Sequence, residues 1–194
     1  MNDIEQIIHD PVYFAEHYIT LNDHLTSLGS EQKSLFRHLR HPNKYYFERE
    51  AGWGKTYVLA IYALWRLTTD SHKQIGFFVH NRLAIKNIHG LVSKMFLSLP
   101  RYLRCSITGY TADHLKWENK SAINFSTVGL GAVRGRSFTD IIVDSFDACE
   151  HDDRQDLLAA YRPCLGLNTD YSFILSSRPT TNKMNITCES LRQV

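Results

Sequence analysis

Apolar positions recur along this chain with two periods, and the switch between them predicts strands and helices in turn. Val12, Phe14, Ala15, Tyr18 and Ile19 form one side of a helix that Asp10 caps and Pro11 opens. Ser30-Glu31-Gln32 opens a second helix, with Leu35, Phe36 and Leu39 on its inner face. The short apolar runs Lys44–Glu48, Gln74–Val79, Asp140–Asp144 and Tyr171–Ser177 have the length and composition of buried strands. Longer helical patterns fall between them: Lys55–Leu67, a stretch that Asn81 caps and Pro100 stops near Leu99, and residues 152–162. His114–Trp117 and Ala122–Ser126 alternate around Glu118-Asn119-Lys120-Ser121, which predicts a small β-hairpin. Gly129–Phe138, rich in Gly and Arg, reads as a loop. Strands alternating with helices predict an α/β fold with a mainly parallel sheet and functional loops at the strand C-termini. The predicted organisation is a helical lead-in over 1–43, a core over 44–180 and a tail over 181–194.

One stretch carries chemistry by position. Ala51-Gly52-Trp53-Gly54-Lys55-Thr56 stands between a predicted strand and a predicted helix, the layout of a phosphate-binding loop. Backbone N–H groups, a helix N-terminus and one lysine converge on a polyphosphate in such a loop, so the chain is expected to bind ATP or GTP. Lys55 is expected on the β- and γ-phosphates and Thr56 on Mg²⁺ through its hydroxyl. Gly52 permits close backbone approach, whereas Arg49 stands where the usual pattern has its first glycine. Asp144 ends an apolar strand and is expected to complete the Mg²⁺ site.

Hydrolysis also needs a group that orients or deprotonates water. Ser145, next after Asp144, is a poor base, so Asp147 is the candidate, with Glu150 close by in sequence. Arg134 and Arg136 lie in the glycine loop, where an arginine can stabilise phosphate charge in its own site or a neighbour's, or bind DNA phosphates.

Composition adds little except by distribution. The 194 residues are 43% hydrophobic and 22% charged with a net charge of +2, ordinary for a globular chain with one core. No apolar run is long enough to span a bilayer, and the acidic N-terminus lacks the pattern of a signal peptide. The four cysteines have no C-x-x-C spacing, and the ten histidines form no recognisable metal set and read as surface or loop residues. Ser71–Ala112 contains Lys73, Arg82, Lys86, Lys94, Arg101 and Arg104 but no Asp or Glu. Such a stretch is either a solvated helix face or a track for a phosphate backbone.

The order of motifs resembles the N-terminal ATPase domain of the large terminase, the DNA-packaging motor subunit of tailed bacteriophages and herpesviruses. The resemblance is carried by Asp10-Pro11-Val12-Tyr13-Phe14 with Tyr18-Ile19, Gln32, Gly54-Lys55-Thr56, Ala132-Val133-Arg134-Gly135-Arg136-Ser137-Phe138, Asp140–Asp144 and Ser176-Ser177-Arg178-Pro179. It implies a P-loop NTPase core of RecA/ASCE-like type with ATP and Mg²⁺ as cofactors. Gly52, Trp53, Gly54, Lys55 and Thr56 would form the phosphate loop, and Gln32 would sense adenine. Arg134 would act in trans on a neighbouring subunit, and Ser176 and Ser177 would couple nucleotide state to movement. It further implies double-stranded DNA, a capsid portal and a small terminase subunit as partners. The chain would assemble as a homo-oligomeric ring in the host cytoplasm, transiently on the procapsid, with no membrane contact.

Large terminases usually add a C-terminal nuclease domain, whose carboxylate cluster this chain does not carry; an excised ATPase domain or a short relative is therefore expected. Two departures stand out: Ala51 replaces a loop arginine, and Ser145 takes the place of the catalytic glutamate. Two other readings remain. One is a weak or inactive nucleotide-binding subunit that regulates or completes a motor ring; the other is the RecA-like half of a helicase.

Overall fold

The computed structural model describes residues 3–149, 153–165 and 170–179. Helices α1 (Asp3–His9) and α2 (Pro11–Tyr18) open the chain. The Asp10 carboxylate caps α2 by accepting from the N–H groups of Val12 at 2.9 Å and Tyr13 at 3.2 Å. The sequence did not predict α1; its Ile7 is buried, and the Ile7 carbonyl accepts from the Trp65 indole at 2.9 Å. A two-stranded ribbon follows, β1 (Thr20–Leu21) with β2 (His24–Leu25), then α3 (Ser30–Leu39). Strand β3 (Lys44–Glu48) leads to α4 (Lys55–Thr69), β4 (Gln74–Val79) and α5 (Arg82–Ser98). Next come β5 (Ile107–Tyr110), β6 (His114–Trp117), β7 (Ala122–Thr127), β8 (Asp140–Val143), α6 (Asp153–Tyr161) and β9 (Ser172–Ser177).

The main sheet runs β3-β9-β8-β4-β7-β6-β5. The five strands from β3 to β7 in that order are parallel, while β6 and β5 are antiparallel. The expected hairpin is thus β6–β7, extended by an unpredicted third strand, β5. Helix α4 is buried from Val58 to Leu67, which explains its almost unbroken apolar run: the sheet lies on one side and α2, α3 and α5 on the others. A second cluster, with Phe78, Ile141, Val143, Phe173 and Leu175, packs the opposite sheet face on Leu157, Leu158 and Tyr161 of α6. No described helix is long and apolar enough to cross a membrane.

Two expectations change. The histidines are not all superficial, since His89 is buried on α5 with its ring edge-to-face with Phe125 at 5.4 Å and Tyr110 at 5.2 Å. The basic stretch is also not one surface. Lys73 is buried and paired with Asp170 and, at 3.7 Å, with Asp70; only Arg82, Lys86 and Lys94 lie exposed along α5. Lys73 belongs to an ion network at the strand N-termini. There Arg66 approaches fully buried Asp140 at 3.3 Å, and the Tyr62 hydroxyl donates to Asp140 at 3.1 Å. Burial holds the Asp140 carboxyl above its usual range despite the attraction of Arg66.

Candidate nucleotide site

The strand order sets the site. Strand β9 lies between β3, which feeds the phosphate loop, and β8, which ends at Asp144. Phe47 pairs with Ser176, and Glu48 with Ser177. The Arg49 N–H continues that ladder into the loop by donating to the Ser177 carbonyl at 3.1 Å. The chain then turns through Gly52 at φ 83° and Gly54 at φ 91°, left-handed conformations that glycine adopts without a Cβ clash. Helix α4 starts at Lys55, and its first intrahelical bond runs from the Val58 N–H to the Gly54 carbonyl at 3.0 Å. The N–H groups of that first turn face the loop, the arrangement that attracts anions.

A cavity of about 520 Å³ opens here, lined by Gly52, Gly54, Lys55, Thr56, Tyr57, His80, Leu91, Ser145, Ala148 and Arg178. The Lys55 ammonium lies across the loop and donates to the carbonyls of Arg49 at 2.6 Å and Glu50 at 3.0 Å. The Thr56 hydroxyl donates to Asp144 Oδ2, while the Ser176 hydroxyl donates to Asp144 Oδ1 at 2.7 Å. Three separate segments therefore meet at one nearly buried carboxylate. Thr56 and Asp144 offer adjacent hard oxygen donors, a set that fits Mg²⁺. No group of three His, Cys, Asp or Glu side chains that could hold a metal ion occurs among the described residues, so such an ion would take its remaining ligands from phosphate and water.

The other expected residues fall around this cavity in distinct ways. Gln32 does not line it. Its amide accepts from the Gly29 N–H at 2.9 Å and donates to the Trp53 carbonyl at 2.9 Å, strapping α3 to the loop. Trp53 also anchors the loop outward, with its indole donating to Glu31 at 3.0 Å and the Arg49 guanidinium over its ring at 5.4 Å. Ser145 lines the cavity in a left-handed conformation, φ 64°.

Asp147 does not line the cavity. Its carboxylate accepts from the Arg178 N–H at 2.9 Å and Arg178 Nε at 2.8 Å, with the Ser177 hydroxyl at 3.4 Å. Burial opposes its ionisation, but the Arg178 N–H, guanidinium bond and charge outweigh that and bring its pKa below the usual carboxylate value. Glu150 lies outside the described residues. Arg134 and Arg136 are exposed, held out by buried Val133 and Phe138 on either side. Sequence reasoning missed His80 and Arg178 as cavity residues; both directly follow parallel strands, where such folds build their sites.

A parallel sheet with a glycine loop feeding a helix, and an acid on a nearby strand, defines a P-loop fold. More narrowly, the chain has the fold of large terminase ATPase domains. It is similar to the large terminase of bacteriophage HK97, with 17% identity and a TM-score of 0.68 over 91% of this chain and 38% of that one. It is similar to the large terminase ATPase domain of Thermus phage P74-26, with 12% identity and a TM-score of 0.57 over 80% of this chain and 67% of that one. A large terminase of a thermophilic bacteriophage in complex with ATP-gamma-S matches 91% of this chain and 37% of its own length, with 13% identity and a TM-score of 0.51. The chain thus spans about two-fifths of the HK97 protein. No protein-family model matches the sequence, and no curated protein does.

Proposed function

We propose that this chain is a Mg-ATP-binding motor domain of a DNA-packaging terminase. The observation that carries this reading is the convergence of Thr56 and Ser176 on Asp144 beside the cavity. Lys55 would exchange its two loop carbonyls for phosphate oxygens. Thr56 and Asp144 would hold Mg²⁺, which neutralises charge on the β- and γ-phosphates when bound. Gln32 would fix the loop beside the base, and Ser176 and Ser177 would relay changes at Asp144 into β9. Arg134 would act on a neighbour's nucleotide in a homo-oligomeric ring, a role its exposure outside its own cavity supports. Double-stranded DNA, a portal and a small terminase subunit are the partners this reading proposes.

A specific observation favours a second reading, a nucleotide-binding subunit without its own catalytic base. Ser145 lines the cavity and is a poor base, and the nearby Asp147 is committed to Arg178. Mg-ATP turnover measured over a range of protein concentrations, with Lys55→Ala and Ser145→Glu in parallel, separates the two. Native turnover abolished by Lys55→Ala supports the motor. Turnover only in Ser145→Glu supports the binding subunit. Native turnover that persists undiminished in Lys55→Ala refutes the site.

A further inference from the structure

One charged side chain at the cavity has no role in the site as described so far. We propose that Arg178 reads the terminal phosphate of the bound nucleoside triphosphate in cis, and that Asp147 is the positioning residue that aims it. The inference rests on the Mg-ATP site proposed above and names what that site distinguishes, a triphosphate from a diphosphate.

An exposed ion pair is ordinarily mobile and weak, and the Arg178 side chain is 60% exposed. Its partner makes this pair different. The Asp147 side chain is 5% exposed, and each of its oxygens accepts from Arg178, one from the backbone N–H and the other from Nε. Asp147 is itself held, because Arg154 donates to its carbonyl at 3.1 Å and to that of Cys149 at 3.2 Å. Pro179 follows Arg178 and disfavours helical backbone there. Both ends of the ion pair are therefore fixed before any ligand arrives.

The contact through Nε uses one edge of the guanidinium. No described residue accepts from its two terminal nitrogens, and Arg178 lines the cavity together with Lys55, Thr56 and Ser145. A planar, permanently charged fork with free donors suits a phosphate better than a point charge does. Its position selects which phosphate. Arg178 follows β9 two residues after Ser176, which holds Asp144, so it would meet the phosphate nearest Asp144, outside those that the Gly52–Thr56 loop would hold. With both oxygens occupied, Asp147 acts through Arg178 and not on water.

Calorimetric titration of the whole chain with Mg-ATP-gamma-S and with Mg-ADP tests this. Arg178→Gln should weaken the triphosphate about tenfold, the scale of one charge-assisted contact, and leave the diphosphate within about twofold. Asp147→Asn should shift the triphosphate-to-diphosphate ratio the same way, a readout that mere loss of stability would not move. Arg178→Lys, which keeps charge but loses the Nε contact, should recover only part of the ratio. Equal weakening of both nucleotides, or no change in either, overturns the inference while leaving the nucleotide site intact. A native chain that binds neither nucleotide refutes the site itself and the inference with it.

Discussion

Ser176→Ala is the sharpest probe of how the site is held. The residue is fully buried on β9, and its hydroxyl donates to Asp144 Oδ1 at 2.7 Å while accepting from the Ser145 N–H at 3.4 Å. The substitution removes a single oxygen, so the cavity it leaves is too small to dominate. The main loss is a hydrogen bond to a charged acceptor, on the order of 1.5–3 kcal/mol. Asp144 is nearly buried and does not itself line the cavity, but Thr56, bonded to it, and Ser145, next to it, do. Water from the cavity can therefore replace part of that bond, so the lower end, about 1.5 kcal/mol, is expected. For a domain of this size that lowers the melting temperature by about 3–6 °C. Function should respond more strongly, because Asp144 loses one of the two hydroxyls that orient it. The Mg²⁺ concentration that half-saturates nucleotide binding should rise about tenfold or more, the usual effect of removing a group behind a metal ligand. Thermal melts with and without Mg-ATP, and a Mg²⁺ titration at fixed nucleotide, measure both quantities. A variant that melts within about 1 °C of the native chain, with the same Mg²⁺ requirement, would refute the claim that Ser176 holds Asp144.

The two loop glycines should differ. Gly54→Ala must accept a φ of 91° and places a Cβ 3.0 Å from Gln32 Nε2, so it should lose about 1–2 kcal/mol of stability from the backbone alone and weaken nucleotide binding by displacing the strap. At Gly52 a Cβ would meet nothing within 4 Å, so Gly52→Ala should show only the backbone effect, and equal binding defects in the two variants would contradict this account. Acid should unfold the chain through Asp147 and Asp170. Burial opposes ionisation of both, but Arg178 on the first, and Lys73 with Arg66 on the second, bring each folded pKa below the ordinary 3.8. Their contribution is present above 3.8 and lost as pH falls through the lower folded values, while Asp140, raised by burial, works in the opposite direction. Urea midpoints should therefore fall as pH drops below about 3.8, and Arg178→Gln should flatten that fall.

Much of this arrangement was legible in the sequence because local pattern encodes it. The phosphate loop, the capped helices and the acid ending β8 each depend on neighbours within a few residues. Elements that break the periodic rules were invisible. Strand β5 is largely exposed and carries a glycine beside a register shift, so Ile107–Tyr110 shows no clean alternation. The ribbon β1–β2 has two residues a side, and its only signal was Asn22-Asp23, both left-handed at φ 51° and 65°. Pairings across strands were the real gap. Asp147 reads from sequence as the nearest spare carboxylate to Asp144. That Arg178 claims it follows only from β9 lying beside β8, which no local pattern states.

That same insertion explains why two consecutive serines are both fully buried at the end of a strand. Successive strand residues point to opposite faces, so one segment can touch two things at once. Ser176 reaches Asp144, and Ser177 reaches Asp147 while its carbonyl receives the first N–H beyond β3. The glycine loop, Asp144 and Asp147 therefore share two adjacent residues. A shift of Asp144 toward a bound cation cannot be absorbed at Ser176 alone, because parallel ladders on both sides fix the height of β9. It must appear either in the loop through Arg49 or at the cavity through Arg178, the residue next in the chain. Under the proposed function, coupling would thus be a consequence of strand order, with the serines as the contacts through which it would act.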